Sequence, residues 1–171
     1  MDTAKTPSDR DTLAARVSAF PRVAASRPEL KQAAVAVCVT EHEGAPALLL
    51  TRRNARLRAH AGQWALPGGR RETGETAEQG AVREVREEAG VWGRVIESLG
   101  TVEYEYERKG KRVAKQVEFF LIEYEGGDPK DHDHEIEEAK WMGLGKAADS
   151  LTFKGEREIV ERAISRRGSG V

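Results

Sequence analysis

Only one cysteine, Cys38, occurs in the 171 residues. A lone thiol excludes an internal disulfide framework, so the fold must rest on a packed core. Its setting, Ala33-Ala34-Val35-Ala36-Val37-Cys38-Val39, is apolar and β-rich. That reads as a small buried side chain in mid-strand, not as a reactive nucleophile. The expectation that follows is a reducing, cytoplasmic compartment. No run approaches the roughly 18 apolar residues of a membrane span. Met1 to Arg10 is polar and mixed in charge, without the apolar centre of a secretory leader. Aromatic residues make up only 6% of the chain, too few for the stacked platforms of a single-strand binder. The net charge of −1 provides no overall field for nucleic acid or an acidic membrane. Recognition of an anion must therefore come from local placement of charge. Internal repeats and low-complexity tracts are missing as well.

What is present is a globular balance, 39% hydrophobic and 33% charged. A chain of this length buries roughly 70% of its unfolded surface, enough for a core without staples. Residues 1–32 read as an N-terminal extension with a short helix at Thr12–Phe20, where Leu13, Val17 and Phe20 share one side. Residues 33–171 read as one domain. Ala33–Thr40 and Pro46–Arg53 form the arms of a hairpin that turns at Gly44. Arg52–Arg71 reads as a basic loop. A helix follows, with Thr76 as N-cap, Gln79 completing a capping box, Ala81, Val85 and Ala89 as the packed face, and Gly90 as the stop. Val95–Tyr106 and Val113–Tyr124 flank a turn at Lys109-Gly110-Lys111. Gly126–His134 reads as an acidic flexible loop, and Ala139–Met142 as a short strand carrying Trp141. Gly155–Arg166 reads as a closing helix with Ile159, Val160 and Ile164 inward. This mixed order predicts an α/β (α+β) sandwich.

The segment Gly69–Val91, GRRETGETAEQGAVREVREEAGV, carries the chemistry. Glu84, Glu87 and Glu88 fall at spacings of three and four and so share one arc of a helix. Carboxylates this close repel and raise one another's proton affinity unless a cation is present. A hard divalent metal takes such oxygens readily. Taken alone, Glu-x-x-Glu-Glu is explained as cheaply by a solvated helix face, with Arg83 and Arg86 interleaved. The wider pattern decides otherwise. Gly69, Glu75, Arg83, Glu84, Val85, Glu87, Glu88, Gly90 and Val91 occur with every gap that the Nudix hydrolase signature requires. Its seven fixed positions would match by chance less than about once in ten thousand such chains. The run resembles that family, and the resemblance spans about residues 33–166.

The resemblance implies an α/β/α sandwich with a mixed central β-sheet and hydrolysis of a diphosphate bond using Mg²⁺ or Mn²⁺. It implies Glu84, Glu87 and Glu88 as metal carboxylates, joined by the Gly68 carbonyl. Arg83 would hold a glutamate in place, and Glu75 would brace the loop or assist a second metal; a plain salt bridge between Glu75 and Arg83 is the competing reading. For the general base, Glu87, Glu88 and Glu135 stand open, the last in Asp131-His132-Asp133-His134-Glu135. His132 and His134 lack metal-site spacing and read as a solvated loop. Among Arg52, Arg53, Arg56, Arg58, Arg70 and Arg71, the substrate contacts expected are Arg53, Arg58 and Arg70, because the guanidinium fork fits phosphate.

The resemblance implies a small nucleotide-like diphosphate as the substrate. Leu49-Leu50-Thr51-Arg52-Arg53-Asn54, Arg58, Gly62 and Leu66-Pro67-Gly68-Gly69 resemble the coenzyme A diphosphatase branch, with Asn54 and Leu66 departing from its usual Ser and Phe. The later part of the chain is more similar to dinucleoside polyphosphate and nucleotide-sugar hydrolases. Coenzyme A or its thioesters is the first expectation. Dinucleoside polyphosphates or ADP-ribose come second, and a non-catalytic nucleotide sensor third. A homodimer is expected by analogy alone.

Overall fold

In the computed structural model, residues 30–54, 62–151 and 155–161 are described. The helix expected at Thr12–Phe20, the arginines Arg56 and Arg58, and the end of the expected closing helix lie outside them.

Strand β1 (Lys31–His42) alternates its small and branched side chains, with Val35 and Val37 to one face and Ala34, Ala36 and Cys38 to the other. It turns through Glu43 and Gly44, at φ 54° and 81°, into antiparallel β2 (Ala45–Arg53). The stretch expected to be a loop then contains two short strands, β3 (Trp64–Ala65) and β4 (Gly68–Arg70). Tertiary pairing creates them. β3 lies on β2 with Thr51 opposite Ala65, and β4 lies on β1 with Val35 opposite Gly68. β3 is only two residues long and β4 is two glycines and an arginine, so neither shows in propensity.

β5 (Val91–Arg108) and β6 (Lys111–Gly127) form a long hairpin around Lys109 and Gly110. β6 runs parallel to β1 from Lys31 opposite Lys115 to Val39 opposite Glu123, so the sheet is mixed. Its order is β3-β2-β1-β6-β5, with β4 also on β1 and β7 (Ile136–Gly143) on β2. The expected loop from Gly126 starts later than its glycines suggest. Those glycines belong to β6, because the Trp92 ring occupies the space of a Gly126 Cβ, 2.8 Å from Cζ2. A 3-10 turn at Pro129–Asp131 follows.

Helix α1 (Ala77–Ala89) has the expected capping box between Thr76 and Gln79. Gly90 ends it in the left-handed region at φ 67°, and a Cβ there would lie 2.8 Å from the Asp128 carbonyl. α1 packs on one sheet face through Ala81, Val85 and Ala89, over Ala34, Ala36, Cys38 and Leu49. Cys38 is fully buried, and burial pushes its thiol up to about 12. On the opposite face lie α2 (Leu144–Ser150) and a helical stretch at 155–161. There Ala147, Ala148, Leu151, Ile159 and Val160 cover Val37, Leu48, Leu50 and Phe119. α2 was not expected from the sequence; it has no side-chain cap and carries Gly145. The architecture is an α/β/α sandwich on a mixed sheet. No helix among the described residues is long and apolar enough to cross a membrane.

Candidate active site

With Ala81, Val85 and Ala89 turned to the sheet, the period of α1 leaves Glu84 and Glu88 beside β4. Two glycines make that approach close. A Cβ on Gly69 would run into the Glu84 carboxylate, 2.7 Å from Cδ, and one on Gly68 would lie 2.7 Å from the Ala34 carbonyl. The Gly68 N–H donates to Glu88 Oε1 at 3.2 Å. Burial, reinforced by the Glu84 carboxylate, pushes Glu88 up to about 8. The Gly68 N–H and the charge of Arg53 oppose that rise, while Asp133 adds to it. Glu84 is also raised, by burial first and by Glu87, against the opposing charge of Arg83.

Arg83 is the local cation. Its Nε donates to Glu75 Oε2 at 2.7 Å and its Nη2 to Glu75 Oε1 at 3.1 Å, a bidentate fork. Nη2 also donates to the Arg70 carbonyl at 3.0 Å. Nη1 lies 3.2 Å from Glu84 and donates to Glu87 at 3.1 Å. The bond to Glu75 holds the guanidinium above its ordinary range and, with the Glu72 N–H, holds Glu75 below the usual carboxylate range. This ties the loop before α1 to the helix. Glu72, 3.6 Å from Nη1, joins the same cluster and was not singled out in the sequence.

The three expected metal carboxylates are therefore not equivalent. Glu84 and Glu88 lie against the glycine backbone, whereas Glu87 is more than half exposed and held by Arg83. Among the described residues, no three His, Cys, Asp or Glu side chains are gathered closely enough to hold a metal. Arg83 neutralises part of the charge that would otherwise require one. The donor set still fits a hard divalent cation. It consists of carboxylate oxygens kept at raised proton affinity, on a surface that glycine leaves open.

The later loop contributes differently from expectation. The Glu135 side chain is exposed, and its backbone carbonyl accepts from the Asn54 N–H at 2.9 Å. The loop acid whose charge reaches Glu88 is Asp133, which also accepts from the Glu135 N–H at 3.0 Å. Only its place in the acidic His-Asp-His run hinted at this. His132 Nδ1 sits 2.9 Å from the Asp133 carbonyl, and His134 is exposed. Arg53, at the end of β2, is near enough to stabilise ionised Glu88. The Arg70 side chain is exposed, and Arg58 lies outside the described residues.

A family model described as NUDIX domain matches residues 30–163. The putative mutator protein MutT4 of Mycobacterium tuberculosis is 41% identical over 100 residues, 58% of this chain and 40% of its own. The 8-oxo-(d)GTP phosphatase of Mycolicibacterium smegmatis is 31% identical over 103 residues, 60% of this chain and 30% of its own. The chain thus spans less than half the length of either relative. A crystal structure of a C. elegans Ap4A hydrolase binary complex superposes with a TM-score of 0.65 at 23% identity, over 82% of this chain and 99% of that one. That likeness establishes the fold.

Proposed function

The chain belongs to the Nudix family, and on that premise we propose that it hydrolyses a phosphoanhydride bond in a nucleotide-type diphosphate, using a divalent metal. The observation that carries this reading is the placement of Glu84 and Glu88 on the glycine backbone of β4, with Arg53 beside Glu88. Glu84 and Glu88, with Glu87 once released from Arg83 and the Gly68 carbonyl, are the residues that would hold Mg²⁺ or Mn²⁺. Such an ion, when bound, neutralises phosphate oxygens and acidifies water. Arg53 offers a phosphate contact from the opposite side. Of the three candidate bases, Glu88 is supported best. It lies against the Gly68 backbone with Arg53 nearby, whereas Glu87 is held by Arg83 and Glu135 is exposed. Arg83 and Glu75 keep the loop in register with the helix.

For the substrate, the 8-oxo-(d)GTP phosphatase relative supports a purine nucleoside triphosphate of the 8-oxo-dGTP kind. Coenzyme A or a thioester is the second reading, supported by the Leu49–Gly69 segment alone. Purified protein incubated with 8-oxo-dGTP, coenzyme A, acetyl-coenzyme A, ADP-ribose and diadenosine polyphosphates, each with Mg²⁺, Mn²⁺ or chelator, tests both. The expected result is chelator-sensitive cleavage at a diphosphate, read by product mass, fastest with 8-oxo-dGTP. Faster cleavage of coenzyme A would select the second reading. Tight nucleotide binding with no turnover under either metal would overturn the catalytic reading in favour of a sensor.

A further inference from the structure

The segment that leads into β4 is fixed by successive backbone bonds to different parts of the molecule. The Ala65 carbonyl accepts from the Thr51 hydroxyl at 3.4 Å. The Leu66 N–H donates to Glu156 Oε1 at 3.3 Å. The Pro67 carbonyl accepts from the Ala36 N–H in β1 at 2.8 Å. The Gly68 N–H donates to Glu88 in α1. The grip therefore passes from the layer at 155–161, through the plane of the sheet, to the catalytic helix. Pro67 has no N–H, so Leu66 carries the one donor before Gly68 through which this segment can be held.

Glu156 is an unusual choice for a layer that otherwise packs by apolar contact. It is partly buried, and burial raises its carboxyl to about 7 against the pull of the Leu66 N–H and Lys115. The chain is built to bring it there. A Cβ on Gly155 would run into the Tyr104 hydroxyl, 2.8 Å from Cζ, so the helical stretch starts flush against β5. The same close fit leaves the Tyr104 hydroxyl buried with no hydrogen-bond partner among the described residues. Desolvating a carboxylate beside an unsatisfied hydroxyl opposes folding.

We infer that Glu156 is a positioning residue for the active site: from the layer opposite α1, its carboxylate fixes Leu66 and thereby the Gly68–Gly69 backbone against Glu84 and Glu88. This rests on the proposed metal-dependent site, but its test does not depend on finding the substrate. Glu156→Gln keeps an acceptor for Leu66, and Glu156→Leu removes it while filling the space. Each variant is read by thermal midpoint, by Leu66 amide exchange, and by Mn²⁺ affinity from electron paramagnetic resonance without substrate. Glu156→Gln should stay within about twofold of wild type in exchange rate and Mn²⁺ affinity. Glu156→Leu should fold with a midpoint lowered by the unpaired Leu66 N–H, exchange Leu66 faster, and lose about tenfold in Mn²⁺ affinity. With an active substrate, the loss should fall on kcat more than on KM. A folded Glu156→Leu with wild-type Leu66 exchange and Mn²⁺ affinity would overturn the inference. If that variant does not fold, Glu156→Ala removes the acceptor without adding bulk and is judged by the same two readouts. A wild-type protein that turns over nothing yet binds Mn²⁺ in a Glu156-dependent way would refute the proposed reaction and support the positioning role.

Discussion

Facing α1, strand β1 presents Ala34, Ala36 and Cys38; facing the other way it presents Val35 and Val37. The difference shows what each layer is for. Small side chains on both partners, Ala81 and Ala89 included, let α1 settle close enough for Glu84 and Glu88 to reach the β4 backbone. That closeness forgoes apolar area and holds two carboxylates at raised proton affinity. The opposite layer, with Leu151, Ile159, Val160 and Met142, supplies the burial that compensates. One layer is built for a site and the other for stability, with Glu156 as the bond between them.

The largest way to sharpen this contrast is Glu88→Gln. Hydrolysis should fall by about 10²–10⁴-fold, while the metal-free protein becomes more stable at alkaline pH. The sign follows from linkage. The folded chain holds the Glu88 proton to about pH 8, whereas an ordinary glutamate releases it near 4.5. Between those values the folded state binds more protons than the unfolded state. The stability contributed by this group is complete below the lower value and is lost as pH rises through the upper one. Thermal scans of metal-free wild type should show that decline, and the variant should flatten it. A variant with the same slope as wild type would remove Glu88 from the account.

On the packing side, Leu151→Ala should destabilise the fold by roughly 2–5 kcal/mol in denaturant titration, yet leave Mn²⁺ affinity intact while folded. Arg83→Ala should cost about 2 kcal/mol, discounted for its partly solvated partners. It should also free the loop before α1 to exchange its amides faster, since Glu75 loses its fork on the helix. Ala81→Leu tests the closeness of α1. It should cost roughly 1–3 kcal/mol by overpacking and reduce turnover more than Leu151→Ala does. Equal losses of turnover from those two changes would erase the proposed distinction between layers. The smallest expected effect is Tyr104→Phe, which removes an orphaned hydroxyl and should leave stability unchanged or raise it by up to about 1 kcal/mol.

The sequence made α1 legible because its signals are local. A capping threonine, a four-residue apolar period and a terminal glycine all act within one helix. The same locality exposed Glu84, Glu87, Glu88 and Arg83. What it could not reveal depends on partners distant in the chain. β3 and β4 exist only because β2 and β1 offer them edges, and Gly126 and Gly127 stay in a strand because Trp92 covers them. Helical spacing placed Glu84, Glu87 and Glu88 on one arc, but the Arg83 fork that draws Glu87 aside is a tertiary event. Likewise Asp133, two residues before the candidate base Glu135, is brought near Glu88 by the 3-10 turn and the Asn54 bond, neither of which leaves a spacing signal. Glu156 lies far along the chain from Leu66 and could not have been paired with it by pattern.

The most direct test of the central claim is a Mn²⁺ titration of metal-free protein, wild type against Glu88→Gln, followed by electron paramagnetic resonance near neutral pH. The account predicts saturable binding by wild type and a loss of about tenfold or more in the variant. Equal affinity in the two proteins would mean that the carboxylates on the Gly68–Gly69 backbone do not form the cation site.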